Sequence, residues 1–144
     1  MVGVFAAITD QDKRILLTKI GYGSHNWTLP GGHLEENESP IDGVKREVLE
    51  ETGYVVEVNN LISTYYSYPN DNLVFLFRAK IFTRIEWEPN EEIEQVQFFK
   101  REKLPEQIHP WNIKRIDDAL ENKISHLHIF DESSNVSIKP ANSC

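Results

Sequence analysis

The chain is nearly devoid of cysteine: of its 144 residues only Cys144, the last, carries a thiol. An intramolecular disulfide and a thiolate zinc site are therefore excluded, and a reducing compartment is the simpler setting. Positive charge is scarce as well. Fifteen Lys and Arg stand against 23 Asp and Glu, for a net charge of −8. Proteins that grip duplex nucleic acid or an anionic membrane need a basic surface, so neither partner is expected. A small phosphorylated ligand stays open, because a metal ion can supply positive charge locally. Long apolar runs are missing too. The longest, residues 2–8, is too short to span a bilayer, and no basic stretch precedes it as in a signal peptide. These absences predict a soluble, cytoplasmic protein. The length and the 40% hydrophobic content predict one domain over residues 1–144 with its own core.

What the chain does have is strand-like segments around a strong helix signal. Residues 2–9 read as a strand buried on both faces, with 14–18 as its hairpin partner across the turn Asp10-Gln11-Asp12. Residues 20–26 read as a loop, and the apolar stretch 27–29 is stopped by Pro30-Gly31-Gly32. Further strands are predicted at 55–58, 61–68, 73–82 and 94–99, with a turn at 69–72 and an acidic loop at 88–92. Ser39, Pro40 and Asp42 form a helix start: Ser39 can cap, proline suits the first helical position, and Asp42 can reach back to the Ser39 amide. The spacing predicts a helix over 40–52 with Gly53 just past its end. Trp111, Ile113, Ile116, Ala119 and Leu120 predict a second helix ending near Asn122. Residues 124–130 and 136–138 are a candidate terminal hairpin, with a frayed tail from 139.

The first helix is unusual in its acids. With Glu47 at the origin of a helical wheel, Glu50 and Glu51 fall about 60° to one side and about 40° to the other. Three carboxylates share one face. Glu47 and Glu51 are like charges at i, i+4, and Glu50 and Glu51 occupy the last turn, where the helix dipole favours cations. Arg46 can pair with Glu50 but cannot neutralise all three. Such a cluster is either a solvated acidic face or a site for a hard cation, which takes oxygen ligands beside a phosphate.

From Gly32 the chain reads Gly, five residues, Glu38, seven residues, then Arg46-Glu47-Val48-Leu49-Glu50-Glu51-Thr52-Gly53-Tyr54. This stretch resembles the signature of the Nudix hydrolases, the MutT-like superfamily, and Trp27-Thr28-Leu29-Pro30-Gly31 before it is similar as well. Tyr54 departs from the pattern, standing where the family usually has an aliphatic residue. The resemblance implies an α/β fold, an α/β/α sandwich with a mixed sheet. It implies hydrolysis of a nucleoside diphosphate linked to another moiety (a nucleoside triphosphate, ADP-ribose or a nucleotide sugar) with Mg²⁺ or Mn²⁺. On this resemblance Arg46, Glu47, Glu50 and Glu51 are the catalytic set. Glu47, Glu50, Glu51 and the Gly31 carbonyl are the metal ligands, with Arg46 and Glu38 as supports. The general base is Glu47 or a later acid, Glu91, Glu92 or Glu94. The family is often dimeric, so a homodimer is compatible with it. A non-catalytic nucleotide-sensing module would typically lack signature glutamates that this chain keeps; another diphosphate-acting enzyme on the same fold would need additional residues.

Substrate residues are less marked. Tyr22, Trp27, Tyr65, Tyr66, Tyr68 and Phe75 can stack on a base or fill the core. Lys19, Arg78 and Lys80 can meet phosphate or solvent. Pro69 stands at a spacing that resembles the ADP-ribose-hydrolysing subset. His126 and His128 alternate like a possible metal pair but lack further ligands, and His25, His33 and His109 are isolated.

Overall fold

The structure, a computed structural model, describes residues 1–131 together with 137 and 138, the side chains to residue 130. In chain order its elements are β1 (Val2–Ala7), β2 (Ile15–Ile20), β3 (Trp27–Thr28), β4 (Gly31–His33), α1 (Pro40–Thr52), β5 (Tyr54–Ser67), β6 (Asn72–Arg84), β7 (Ile93–Phe99), a 3₁₀ turn (Arg101–Lys103), α2 (Pro110–Leu120), β8 (Phe130–Asp131) and β9 (Ser137–Ile138). A mixed sheet runs β4-β1-β6-β5, with β1 and β6 parallel and the other neighbours antiparallel. A second, antiparallel sheet runs β3-β2-β7.

The two helices cover opposite faces. Val44 and Val48 of α1 pack with Val4, Ala6, Leu61 and Phe77. Ile116 and Ala119 of α2 pack with Ala7, Ile62, Leu76 and Leu17. Consecutive strand residues thus enter different cores, as the two-residue period of a strand requires. The result is the α/β/α sandwich implied by the resemblance. It also explains the apolar opening run, since β1 is covered on both faces and paired on both edges. Each fully buried Val, Leu, Ile or Phe side chain contributes about 1.5–3 kcal/mol.

Helix α1 matches its predicted span. Ser39 Oγ accepts from Asp42 N–H at 3.1 Å, and Gly53, left-handed at φ 77°, closes the helix with its N–H on Leu49 O at 2.9 Å. The return bond from Asp42 to the Ser39 amide does not form. The backbone carbonyls of the last turn are met from outside: Trp87 Nε1–H donates to Glu50 O at 2.9 Å and Arg84 Nε–H to Thr52 O at 3.3 Å.

Four expectations change. β1 and β2 are not ladder partners; they touch through the Thr9–Ile15 bridge and the Leu16 N–H to Ile8 O bond, then part into different sheets, because β4 and β6 already occupy both edges of β1. The two strands expected at 55–58 and 61–68 are one strand, β5, whose register shifts absorb the Asn59-Asn60 interruption. Of the terminal hairpin only Phe130–Asp131 against Ser137–Ile138 is a ladder; before it the segment touches the sheet through the Leu61–Ser125 bridge. Residues 132–136 and the tail from 139 lie outside the described residues. Helix α2 ends at Leu120 rather than near Asn122, and its cap is a histidine: His109 Nδ1 accepts from Trp111 N–H at 3.0 Å.

Candidate active site

Helix α1 carries the glutamates to strand β4. Ala6 N–H donates to Pro30 O and Leu34 N–H to Val2 O, so alternate residues of this segment pair with β1 and Gly31 turns its peptide groups to the outer edge. There the Gly31 N–H donates to Glu51 Oε1 at 2.9 Å. A Cβ on Gly31 would collide with the Val4 carbonyl oxygen, and one on Gly32 would stand 2.7 Å from the Glu47 carboxylate. At Gly31 only glycine fits, because the clash is with backbone, whereas a side chain at residue 32 would displace the Glu47 carboxylate. Two carboxylates from adjacent turns therefore meet one Gly-Gly dipeptide.

Arg46 organises the acids around them. Its Nε–H and Nη2–H grip both oxygens of Glu38 at 2.7 and 2.9 Å. Nη1–H donates to Glu47 Oε1 at 3.0 Å and Glu50 Oε2 at 3.2 Å, and Nη2–H reaches the His33 carbonyl at 3.2 Å. Glu35 Oε1 also lies 3.1 Å from Nε. A single guanidinium thus serves four carboxylates, which a planar fork can do and an ammonium cannot.

The charges are unevenly served. Glu38 is held below the usual carboxylate range, chiefly by its hydrogen bonds from Arg46. Glu47 is pushed up, chiefly by burial. Glu51 is pushed up to about 8: burial dominates, the Gly31 N–H opposes it, and the charges of Glu47, Glu92 and Glu50 add to it. Among the described residues no cation pairs with Glu51, and no three acidic, histidine or cysteine side chains close around one point. Glu50 is exposed and leans on Arg46 instead. The donors are all hard oxygens, and the buried Glu51 carboxylate lacks a counter-charge. The donor set fits a Mg²⁺- or Mn²⁺-sized ion by chemistry.

The remaining candidates separate by location. Of the later acids, Glu92 lies close enough for its charge to raise Glu51. Glu94 is engaged by His25 Nδ1 at 3.1 Å and lies 4.0 Å from Lys19 Nζ; Glu91 is exposed. Arg78 does not face phosphate: its Nη2–H donates to Ala119 O, tying β6 to the end of α2. Lys80 lies with Asp10 and Arg14 around the β1–β2 turn. Trp27 is core, edge-on to Phe99 at 4.8 Å, and Phe75 packs on the α1 side. Tyr22 is exposed on its loop. The His126 and His128 rings stack 6.3 Å apart. Tyr65, Tyr66, Tyr68 and Pro69 instead line a groove with Trp111, Lys114 and Arg115 of α2. In the sequence Trp111 figures only in the helix pattern and Lys114 and Arg115 carry no predicted role, although Trp111 and Arg115 stand at i, i+4 off the Ile116–Ala119 stripe.

The sequence matches the NUDIX domain over residues 1–119. It is 32% identical over 130 residues to a MutT-like protein of Streptomyces ambofaciens, covering 90% of this chain and 83% of that one. It is 32% identical over 102 residues to the oxidized purine nucleoside triphosphate hydrolase of Mus musculus, covering 66% of this chain and 64% of that enzyme, just under two thirds of its length. Among solved structures, an ADP-ribose pyrophosphatase from Streptococcus suis matches with a TM-score of 0.74 at 27% identity, covering 84% of this chain and 90% of that one. The chain belongs to the Nudix hydrolases, a class of pyrophosphohydrolases. Among the described residues no helix is long and apolar enough to cross a membrane.

Proposed function

We propose that the protein hydrolyses a phosphoanhydride bond in a small nucleotide, a nucleoside diphosphate linked to another moiety, with Mg²⁺ or Mn²⁺ held by Glu47, Glu50, Glu51 and the Gly31 carbonyl. The observation that carries this reading is the meeting of Glu47 and Glu51 at Gly31-Gly32, with Glu51 buried and short of positive charge. The ion, when bound, offsets the charge crowded on the pyrophosphate, polarises phosphorus and makes water a better nucleophile at neutral pH.

The chain's own residues do the rest. Arg46 fixes the orientation of Glu47 and Glu50 while Glu38 fixes Arg46, so the acids keep their places as substrate arrives. The proton of the attacking water goes to a carboxylate, Glu47 or the loop acid Glu92. Glu92→Gln separates the two: a loss of turnover of about a hundredfold with unchanged metal affinity assigns the base to Glu92.

Relatives are named for oxidized purine triphosphates, ADP-ribose, UDP-X and RNA, which widens rather than narrows the choice. The test is a panel of nucleoside triphosphates, ADP-ribose, nucleotide sugars and dinucleoside polyphosphates with Mg²⁺. Cleavage of an anhydride that stops with EDTA is expected. Failure to split any anhydride with Mg²⁺ or Mn²⁺ overturns the reading.

A further inference from the structure

The last turn of α1 carries two of the proposed ligands, Glu50 and Glu51. The final carbonyls of a helix lack partners inside it, and α1 has no basic residue in that turn to meet them. The N–H that a continuing helix would aim at Glu50 O is that of Tyr54, and it donates to Thr52 Oγ1 at 3.0 Å instead. The partner of Glu50 O comes from outside the helix: Trp87 Nε1–H, at 2.9 Å. This carbonyl belongs to the peptide unit that joins Glu50 to Glu51, so the indole grips the link between the two ligands.

The segment after β6 is built to keep Trp87 there. Ile85 N–H donates to Gly53 O at 2.8 Å, and Arg84 Nε–H to Thr52 O at 3.3 Å. Arg84 stands opposite Tyr54 in the β5–β6 ladder, its guanidinium carbon 4.6 Å from the centre of that ring. Tyr54, the residue that departs from the signature pattern, is thus the seat of Arg84. Trp87 itself rests on Gly53, where a Cβ would stand 2.6 Å from Trp87 Cβ. The far end of the segment is fixed as well, since Gly21 N–H donates to Glu92 O at 2.8 Å. Held at both ends, the segment presents a half-buried indole to one carbonyl.

The side chains of this turn are held separately, Glu50 by Arg46 Nη1–H at 3.2 Å and Glu51 by the Gly31 N–H at 2.9 Å. We infer that Trp87 is a positioning residue for the cation: by holding the peptide between Glu50 and Glu51 it fixes the two carboxylates relative to each other before an ion arrives. The inference rests on the metal reading above. Two effects of the indole N–H oppose each other, and their signs separate them. As a dipole it offsets part of the negative charge at the helix end, so losing it would tighten the hold on a cation. As a positioning group it keeps the turn from shifting, so losing it weakens that hold, by about tenfold for a residue that acts through a ligand.

The test is a titration with Mn²⁺, followed by electron paramagnetic resonance, of wild type, Trp87→Phe and Ser39→Ala, with circular dichroism confirming each fold. Phenylalanine keeps a ring on Gly53 and removes the donor, while Ser39→Ala loosens the same helix at its other end. Trp87→Phe should bind Mn²⁺ about tenfold more weakly than wild type, and Ser39→Ala should stay within about twofold of it. Unchanged or tighter binding by Trp87→Phe, or an equal loss in Ser39→Ala, overturns the inference. If wild type takes up no Mn²⁺, the metal reading itself fails and this inference falls with it. If Trp87→Phe does not fold, hydrogen exchange in wild type decides. Coupling is reciprocal, so saturating Mg²⁺ should slow deuterium exchange of the Trp87 indole N–H by about the same tenfold, and a rate unchanged within about twofold overturns the inference.

Discussion

At the scale of single residues, Glu51 is the most unusual group in the molecule. Burial raises its carboxyl from the ordinary 4.5 to about 8. The sign follows directly. Because the folded protein favours the protonated form, the stability this group contributes is complete below about 4.5 and is lost as pH rises through about 8. Glu51→Gln keeps an oxygen for the Gly31 N–H and removes the charge. In EDTA its melting temperature should exceed that of wild type at pH 8–9 and match it near pH 5, while turnover with Mg²⁺ falls about tenfold or more. Thermal melts across pH, beside a turnover assay, check both halves. Arg46 gives the complementary case. Lysine can supply the charge but not the two-pronged grip on Glu38, so Arg46→Lys should weaken Mn²⁺ binding about 10- to 100-fold, as read by metal titration.

Among the elements, α1 was the most legible in the sequence. Its cap, its first proline and its left-handed Gly53 are local signals, and they hold at the predicted positions. Ser39→Ala removes the acceptor for the Asp42 N–H and should cost about 1 kcal/mol in urea unfolding. Strand partners were less legible, since pairing joins residues far apart in sequence. Nothing near residue 2 says that β1 pairs with β6 or that β2 belongs to another sheet. Phe77 shows what that pairing protects: it is fully buried between β6 and α1, and Phe77→Ala should cost about 3–5 kcal/mol by the same measurement. The candidate site divides the same way. Glu47, Glu50 and Glu51 could be grouped from one helix turn, and their supports Arg46 and Glu38 lie close in sequence. Trp87 could not be linked to Glu50, because only the folded chain brings residues 37 positions apart together.

Across the whole molecule, a cation is expected to act as a stabiliser whose strength depends on pH. With the cation on Glu51 as proposed, protons and metal compete for that carboxylate, so Mg²⁺ should raise the melting temperature more at pH 8 than at pH 6, with EDTA abolishing the difference. Scanning calorimetry at the two pH values checks it; an equal rise at both would count against a metal on Glu51. The net charge of −8 acts in the same direction, because a bound cation relieves some of the self-repulsion of the fold.

The burial of β1 on both faces has a last consequence. Ala6 belongs to the core under α1 and Ala7 to the core under α2, so neither layer can peel away without disturbing the same short piece of backbone. Its amide hydrogens at residues 4–7 should be among the last to trade with deuterated solvent, and occupancy of either flank should slow that trade for the layer opposite.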